Sequence, residues 1–296
     1  MMRDAECGMR MERRTWRSFL ALILLAVCLV PPAFAKDNGI KPDVIIDPAA
    51  PRPGDIMVVT VKGATGPVEG KFGDRKIYFN PSKDSLKALV GIDLFTEPGT
   101  YTLDLSVDGT AVSRSITVVK KEYPVQRLTL PKDMVELSPQ NEARAERDQK
   151  KFEVLWPEES VREWDGDFMN PRKGEIVTAF GLRRIINKIP KSPHTGVDVS
   201  AELGDAVRAP NNGTVVLVDD MFFTGNSVVL DHGQGIYTMF FHFSKILVAP
   251  GQQVKKGDVI GLVGSTGRST GPHLHWGVRI EGARVDPLEL IHLKIE

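Results

Sequence analysis

Between residues 100 and 107 the chain alternates strictly. Tyr101, Leu103, Leu105 and Val107 are apolar or aromatic, and Thr100, Thr102, Asp104 and Ser106 are polar. Strand side chains point to opposite faces with period two, so the segment predicts a strand with one buried and one wet face. Residues 56–61, 76–79, 87–92 and 111–119 share the β-branched and aromatic bias, punctuated by Pro98-Gly99 and Asp108-Gly109. Short strands at this spacing over residues 40–120 predict an immunoglobulin-like β-sandwich, here without the cysteine pair of antibody domains. No cluster of catalytic residue types falls in it, which points to a spacer or docking module.

From 121 to 170 the chain becomes polar, charged and poor in glycine. Ser138 can cap a helix with Pro139 at its first position. Residues 141–155 are mostly charged, and Phe152, Val154 and Leu155 lie together at the end. This predicts a linker helix that packs by its C-terminal turn and closes at Pro157. From 171 to 296 glycine, valine and isoleucine rise, and no helical periodicity exceeds two turns. Two glycine-bounded turns, Gly204-Asp205-Ala206-Val207 and Gly257-Asp258-Val259-Ile260, feed apolar strands. Strands at 226–231 and 235–243 meet at the turn His232-Gly233-Gln234. The chain therefore reads as all-β, its C-terminal part mostly antiparallel and barrel-sandwich-like. A boundary near 170 further predicts that a chain starting near Met169 keeps the fold of that part.

Composition changes this picture only at the N-terminus. Arg13, Arg14 and Arg17 precede an apolar run over residues 19–30, and Pro31-Pro32-Ala33-Phe34-Ala35 ends in a small-x-small pattern, which predicts a secretory signal peptide cleaved after Ala35. The run is shorter than the ~20 residues a transmembrane helix needs, so no stable span is expected after cleavage. Both cysteines, Cys7 and Cys28, lie in that segment, so an exported chain would carry no disulfide. Lys plus Arg and Asp plus Glu number 38 each. Without residues 1–35 the chain keeps 33 basic and 35 acidic residues. With no basic patch, nucleic acid is not an expected partner.

The candidate chemistry is histidine-rich. In Gly271-Pro272-His273-Leu274-His275-Trp276-Gly277 two histidines two apart share one face of a strand. Upstream, His194-Thr195-Gly196-Val197-Asp198 sets a histidine and a carboxylate at another even spacing, and His242 sits in an apolar run. His194, Asp198 and one histidine of the 273/275 pair supply two imidazoles and a carboxylate. That donor set suits zinc better than magnesium or calcium, and three ligands leave an open catalytic position. The spacing leaves open which of His273 and His275 ligates. A peptide hydrolase also needs a proton acceptor and an oxyanion donor, roles that the remaining histidine and His242 can fill. The helical H-E-x-x-H motif is absent, and no Gly-Lys-Ser/Thr follows the glycine-rich stretch 261–271, which reads as the turn that delivers the pair. His232 and His292 read as packed or solvated residues outside the site.

The run 174–290 resembles the LytM/lysostaphin-type zinc metallopeptidases in Phe180-Gly181-Leu182-Arg183, His194-Thr195-Gly196-Val197-Asp198, Asp231-His232-Gly233, Phe241-His242-Phe243 and Gly271-Pro272-His273-Leu274-His275-Trp276-Gly277. The resemblance covers about 40% of the chain. It implies one zinc held by His194, Asp198 and His275, with His242 and His273 as the catalytic pair. In that family the segment around the catalytic histidine ends in His-Leu, and here it is His242-Phe243. The resemblance also implies an endopeptidase of peptidoglycan peptide stems or cross-links in the periplasm or envelope of a Gram-negative bacterium, with an envelope protein as partner of the N-terminal domain. The competing readings are a non-catalytic wall-binding or amidase-activating regulator of the same type, and a carrier domain. The carrier needs a lysine at a hairpin tip, and Asn211-Asn212-Gly213 offers none.

Overall fold

A computed structural model of the chain describes residues 42–129, 131, 136–156 and 159–295. The signal segment and Pro157 lie outside the described residues. The N-terminal half contains β1 (Asp43–Asp47), β2 (Ile56–Lys62), β3 (Val68–Phe72), β4 (Arg75–Ile77), β5 (Asn80–Ser82), β6 (Ser85–Gly91), β7 (Gly99–Val107) and β8 (Thr110–Val118). They form two four-stranded sheets, β1-β2-β6-β5 and β4-β3-β7-β8. Leu103, Leu105 and Val107, the apolar set of the alternating segment, face Met57, Val59, Val61, Ala88 and Val90 across a buried core. This is the expected sandwich. β1 and β3, DVIID and VEGKF, escape sequence reasoning because their charges and glycine hide their pairing with β2 and β7.

The sheet β1-β2-β6-β5 is apolar on both faces. Met57 and Val59 point into the sandwich, while Ile56 and Leu89 belong to the core of the C-terminal half together with Trp164, Phe180 and Trp276. This double burial explains why β2 lacks the alternation of β7. Gly91 marks one close approach, since a Cβ there would lie 2.9 Å from Ala283 Cβ and 3.0 Å from Ile280 O. The C-terminal core thus reaches back across residue 170.

Beyond the sandwich come β9 (Val125–Leu128) and the helix α1 (Pro139–Glu153), capped by Ser138, whose side chain accepts from Asn141 N at 3.3 Å. Then follow β10 (Ile176–Thr178), β11 (Arg183–Ile186), β12 (Ile189–Pro190), β13 (Gly196–Ser200), β14 (Ala206–Arg208), β15 (Gly213–Met221), β16 (Gly225–Asp231), β17 (Ile236–Phe243), β18 (Lys245–Ile246), β19 (Gln253–Val254), β20 (Val259–Leu262), β21 (His273–Ile280), β22 (Ala283–Val285) and the short helix α2 (Pro287–His292). The main sheet runs β10-β13-β21-β17-β16-β15-β19, with β22 on β21, and β14-β20-β18 forms a smaller sheet. One face of the main sheet carries Val197, Val199, Phe240, Leu274 and Trp276 into the core. The other carries Leu217, Val229, Tyr237, Met239 and Phe241, against which the end of α1 packs Phe152, Leu155 and Trp156. Val154, expected among the anchors, is exposed. The polar side of α1 is tied down as well: buried Asp148 accepts from Phe222 N at 2.8 Å, and Arg144 pairs with Asp220 at 3.0 Å.

His232 follows β16 and is fully buried, with Nδ1 2.6 Å from Asn212 O and Nε2 2.8 Å from Thr238 Oγ1. Burial pushes its pKa down to about 4. Between the ordinary value near 6.5 and about 4, the unfolded chain binds a proton that the folded chain refuses. Its contribution to stability is therefore complete above about pH 6.5 and declines by about 3 kcal/mol as the pH falls towards 4. Urea unfolding of the native chain and of His232→Gln at pH 7 and 4.5 checks this. The variant is expected to be less stable at pH 7 and to lose less on acidification.

Candidate metal centre

β13 and β21 are antiparallel neighbours in a register that sets Asp198 opposite His275, and β17 sets Phe241 opposite His275 on its other side. Alternation then places Asp198, His275 and Phe241 on the face turned away from the core. His194 precedes β13 and reaches the same point. Its Nε2 lies 3.0 Å from Asp198 Oδ1 and 3.0 Å from His275 Nδ1, and His275 Nδ1 lies 2.8 Å from Asp198 Oδ1. Two imidazole nitrogens and a carboxylate oxygen converge.

His194 Nδ1 faces Ala179 O at 3.1 Å, which fixes the proton on Nδ1 and leaves Nε2 as a lone-pair donor. Burial alone would raise the Asp198 carboxyl, but the two imidazoles set against it outweigh burial and hold it well below the usual carboxylate range. Burial pushes His275 down to about 4, so its ring is neutral at pH 7. A fixed anion beside two imidazole nitrogens is what a divalent cation requires, and the donor set fits one. The ring of Phe241 stacks on His275 at 5.0 Å and 8°.

His273 and His242 stand beside this cluster. Of the pair left open by spacing, His275 lies within the group of three, whereas His273 Nε2 is 3.7 Å from Asp198 Oδ1. His273 Nδ1 donates to Gly271 O at 2.9 Å and His242 Nδ1 to Thr266 O at 2.8 Å, so each presents Nε2 to the site. Their ring centroids are 4.8 Å apart. Burial lowers the His242 pKa.

Strict alternation would send His242 into the core with Phe240. A β-bulge prevents this. Asn226 pairs with Phe243 and Val228 with Phe240, so Phe241 and His242 together oppose Ser227. His242 takes the left-handed backbone conformation, φ 66°, and its amide donates to Thr224 O at 2.9 Å. A non-glycine residue there is strained by about 1–2 kcal/mol and persists because its surroundings hold it. Thr266 is the clamp: its Oγ1 accepts from Asn226 N and donates to Phe243 O, each at 2.9 Å. Gly225 makes the clamp fit, with φ 60° and a would-be Cβ only 2.3 Å from the Thr266 carbonyl carbon.

Under the metallopeptidase resemblance, Thr266→Val is therefore expected to lower kcat at least about 10-fold with little change in KM or bound metal, while Thr266→Ser retains activity. Steady-state kinetics with metal analysis checks this, and a fall in KM alone or in bound metal would count against it. Sequence reading brought His194, Asp198, His242, His273 and His275 to one place, and the structure places them there. It missed Thr266, whose importance depends on the bulge, and the stacking of Phe241 on His275, which depends on the pairing of β17 with β21. His232 is a core residue, and His292 lies in α2, outside the cluster.

Comparisons with known proteins agree on the C-terminal half. The profile of peptidase family M23 matches residues 192–287. Peptidoglycan DD-endopeptidase ShyA of Vibrio cholerae is 42% identical over 119 residues, which are 40% of this chain and 27% of that protein. DD-carboxypeptidase/endopeptidase Mpg of Neisseria meningitidis is 44% identical over 97 residues, 33% of this chain and 22% of that protein. The matched segment thus spans about a quarter of these relatives' length. A crystal structure from Pseudomonas aeruginosa described as a peptidase M23 is 32% identical, covers 81% of this chain and 95% of its own, and superposes with a TM-score of 0.67.

Proposed function

Because the chain belongs to peptidase family M23, we propose that it is an exported zinc-dependent endopeptidase that hydrolyses peptide cross-links of bacterial peptidoglycan. His194, Asp198 and His275 would hold one zinc per chain, and His242 and His273 would carry out the proton transfers. The observation that carries this reading is the convergence of three lone-pair donors within 4.8 Å of one another, flanked by a second histidine pair. When bound, zinc supplies Lewis-acid activation of water and of the scissile carbonyl.

The chain's own residues account for the rest. His242 is kept neutral by burial, and its Nε2 is the free nitrogen, so it suits the acceptor of the attacking water's proton. His273, whose Nδ1 donates to Gly271 O, would donate from Nε2 to the oxyanion that develops on the carbonyl in its doubly protonated form, the only form with a proton on both ring nitrogens. Microscopic reversibility then lets the proton taken from water pass to the leaving amine. The relatives named as DD-endopeptidases support a D-alanyl cross-link as the bond, and the signal-like residues 1–35 support export to the periplasm or cell envelope.

The test is to incubate the protein, with and without chelator, with purified peptidoglycan and to identify the products by mass spectrometry. Zinc-dependent conversion of cross-linked dimers to monomers is expected. No cleavage by zinc-loaded protein would favour the regulator reading.

A further inference from the structure

In the β21–β22 hairpin Arg279 and Arg284 are direct cross-strand partners. Like charges so placed repel, and the fold supplies one carboxylate for the two. Asp93 bonds Arg284 Nη1 at 3.0 and 3.3 Å and accepts the Arg284 backbone N–H at 2.8 Å. Among the described residues Arg279 has no acidic partner: its Nη1 donates to Gly282 O at 2.8 Å, and its Nε is buried with no hydrogen-bond partner. The indole of Trp156 covers the guanidinium at 4.4 Å, an electrostatic partner weaker than a carboxylate. Burial, then the charge of Arg284, pushes the Arg279 pKa down to about 10. A half-buried, underneutralised cation is costly, and hairpin geometry does not demand one.

Its location suggests what the charge is for. Arg279 follows His275 by four residues on β21, on the same face of the sheet. Gly277 between them leaves the floor clear, and a Cβ there would meet Met239 Cε at 2.9 Å. His275, Thr195, Arg279 and Arg284 line one cavity of about 170 Å³, roofed by Phe152 and Trp156. Roughly two residues of extended chain span a space of that size.

We infer that this cavity is a carboxylate-accepting subsite, in which the Arg279 guanidinium binds a free carboxylate of the peptide within about two residues of the bond cleaved at the metal centre. The inference rests on the hydrolase reading for the position of that bond. A guanidinium offers a planar fork of donors that a carboxylate matches bidentately, and the anion completes the charge balance that Asp93 leaves half done. A purely structural Arg279, stapling the turn through Gly282, would be indifferent to substrate charge.

The test compares a synthetic cross-linked stem-peptide dimer bearing its free carboxylates with the same dimer in which they are primary amides. The native chain is expected to favour the carboxylate form by about 10–100-fold in kcat/KM and in Kd measured by calorimetry. Arg279→Gln is expected to bring both ratios close to 1 with zinc content unchanged. Should that variant fail to fold, Arg279→Lys is expected to lower the ratios without abolishing them. Equal handling of the two dimers by the native chain, or a native ratio in a folded Arg279→Gln, overturns the subsite. If neither dimer is cleaved but the Kd ratio persists and depends on Arg279, the subsite stands and the hydrolase reading falls. Cleavage of both dimers at one rate gives the reverse.

Discussion

Asp198→Ala is expected to fold, to lose its metal and to lose at least about 10⁴-fold in turnover, whereas His242→Ala and His273→Ala keep about one zinc per chain and lose about 10²–10⁴-fold. The contrast follows from position. Asp198 Oδ1 lies 2.8 Å from His275 Nδ1 and 3.0 Å from His194 Nε2, and it is the only anion in the group of three. Without it only the two imidazoles remain, and a divalent cation loses both a ligand and its charge compensation. His242 and His273 have their Nδ1 atoms tied to backbone carbonyls outside the cluster. Removing either leaves the three donors in place. Metal analysis after dialysis, with kinetics on the same samples, separates the two classes. Full occupancy in Asp198→Ala would remove that residue from the ligand set, and stoichiometric metal loss from the His242 or His273 variant would add that histidine to it.

A chain starting at Met169 is expected to be insoluble or largely unfolded, and one starting at Glu159 to be markedly more soluble. Residues 159–168 carry no catalytic group, yet they are built into the C-terminal core. Trp164 and Phe168 are each 3% exposed and belong to the same cluster as Trp276 and Leu230. Loss of either costs about 3–5 kcal/mol, so losing both approaches the whole stability of a domain. Polar partners would go with them. Fully buried Asn211 accepts from Asp165 N at 3.0 Å and donates to Asp165 O at 3.1 Å, and Trp164 N donates to His232 O at 3.1 Å. Circular dichroism and thermal melting of the two truncated chains check the expectation. A cooperative melt of the shorter chain near the native temperature would show that residue 170 is a true boundary, as the change of composition there suggests.

The even spacings were enough to gather the ligands. His273 and His275 lie on one strand, which has little choice of face, whereas His194 precedes β13 and is brought to Asp198 by the short stretch that leads into that strand. Alternation at Leu103, Leu105 and Val107 was legible for the same reason. The faces of β2 were not, because what covers Ile56 is a sheet more than 200 residues away in the chain. Nor was the seat of α1. Phe152 lies at the end of the helix and Trp156 in the turn after it, but nothing local says that they rest on Phe241 and Tyr237, at 5.7 and 5.3 Å between ring centroids. The orientation of His242 was legible only through family resemblance, since strict alternation gives the wrong face.

The bulge at His242 also has a consequence for length variation. It is one residue of surplus chain, and with the chain at this length the surplus is what turns the imidazole from the core towards His273 and His275. Deleting one residue of 236–240 would restore regular alternation with His242 alone opposite Ser227, and would turn Phe241 off the His275 ring and into the core. Packing can absorb a substitution at these positions, but no repacking restores a lost half-turn of the pleat. In a lineage that keeps the site, β17 is therefore expected to drift in composition and stay constant in length, while insertions and deletions collect in exposed turns such as 247–252.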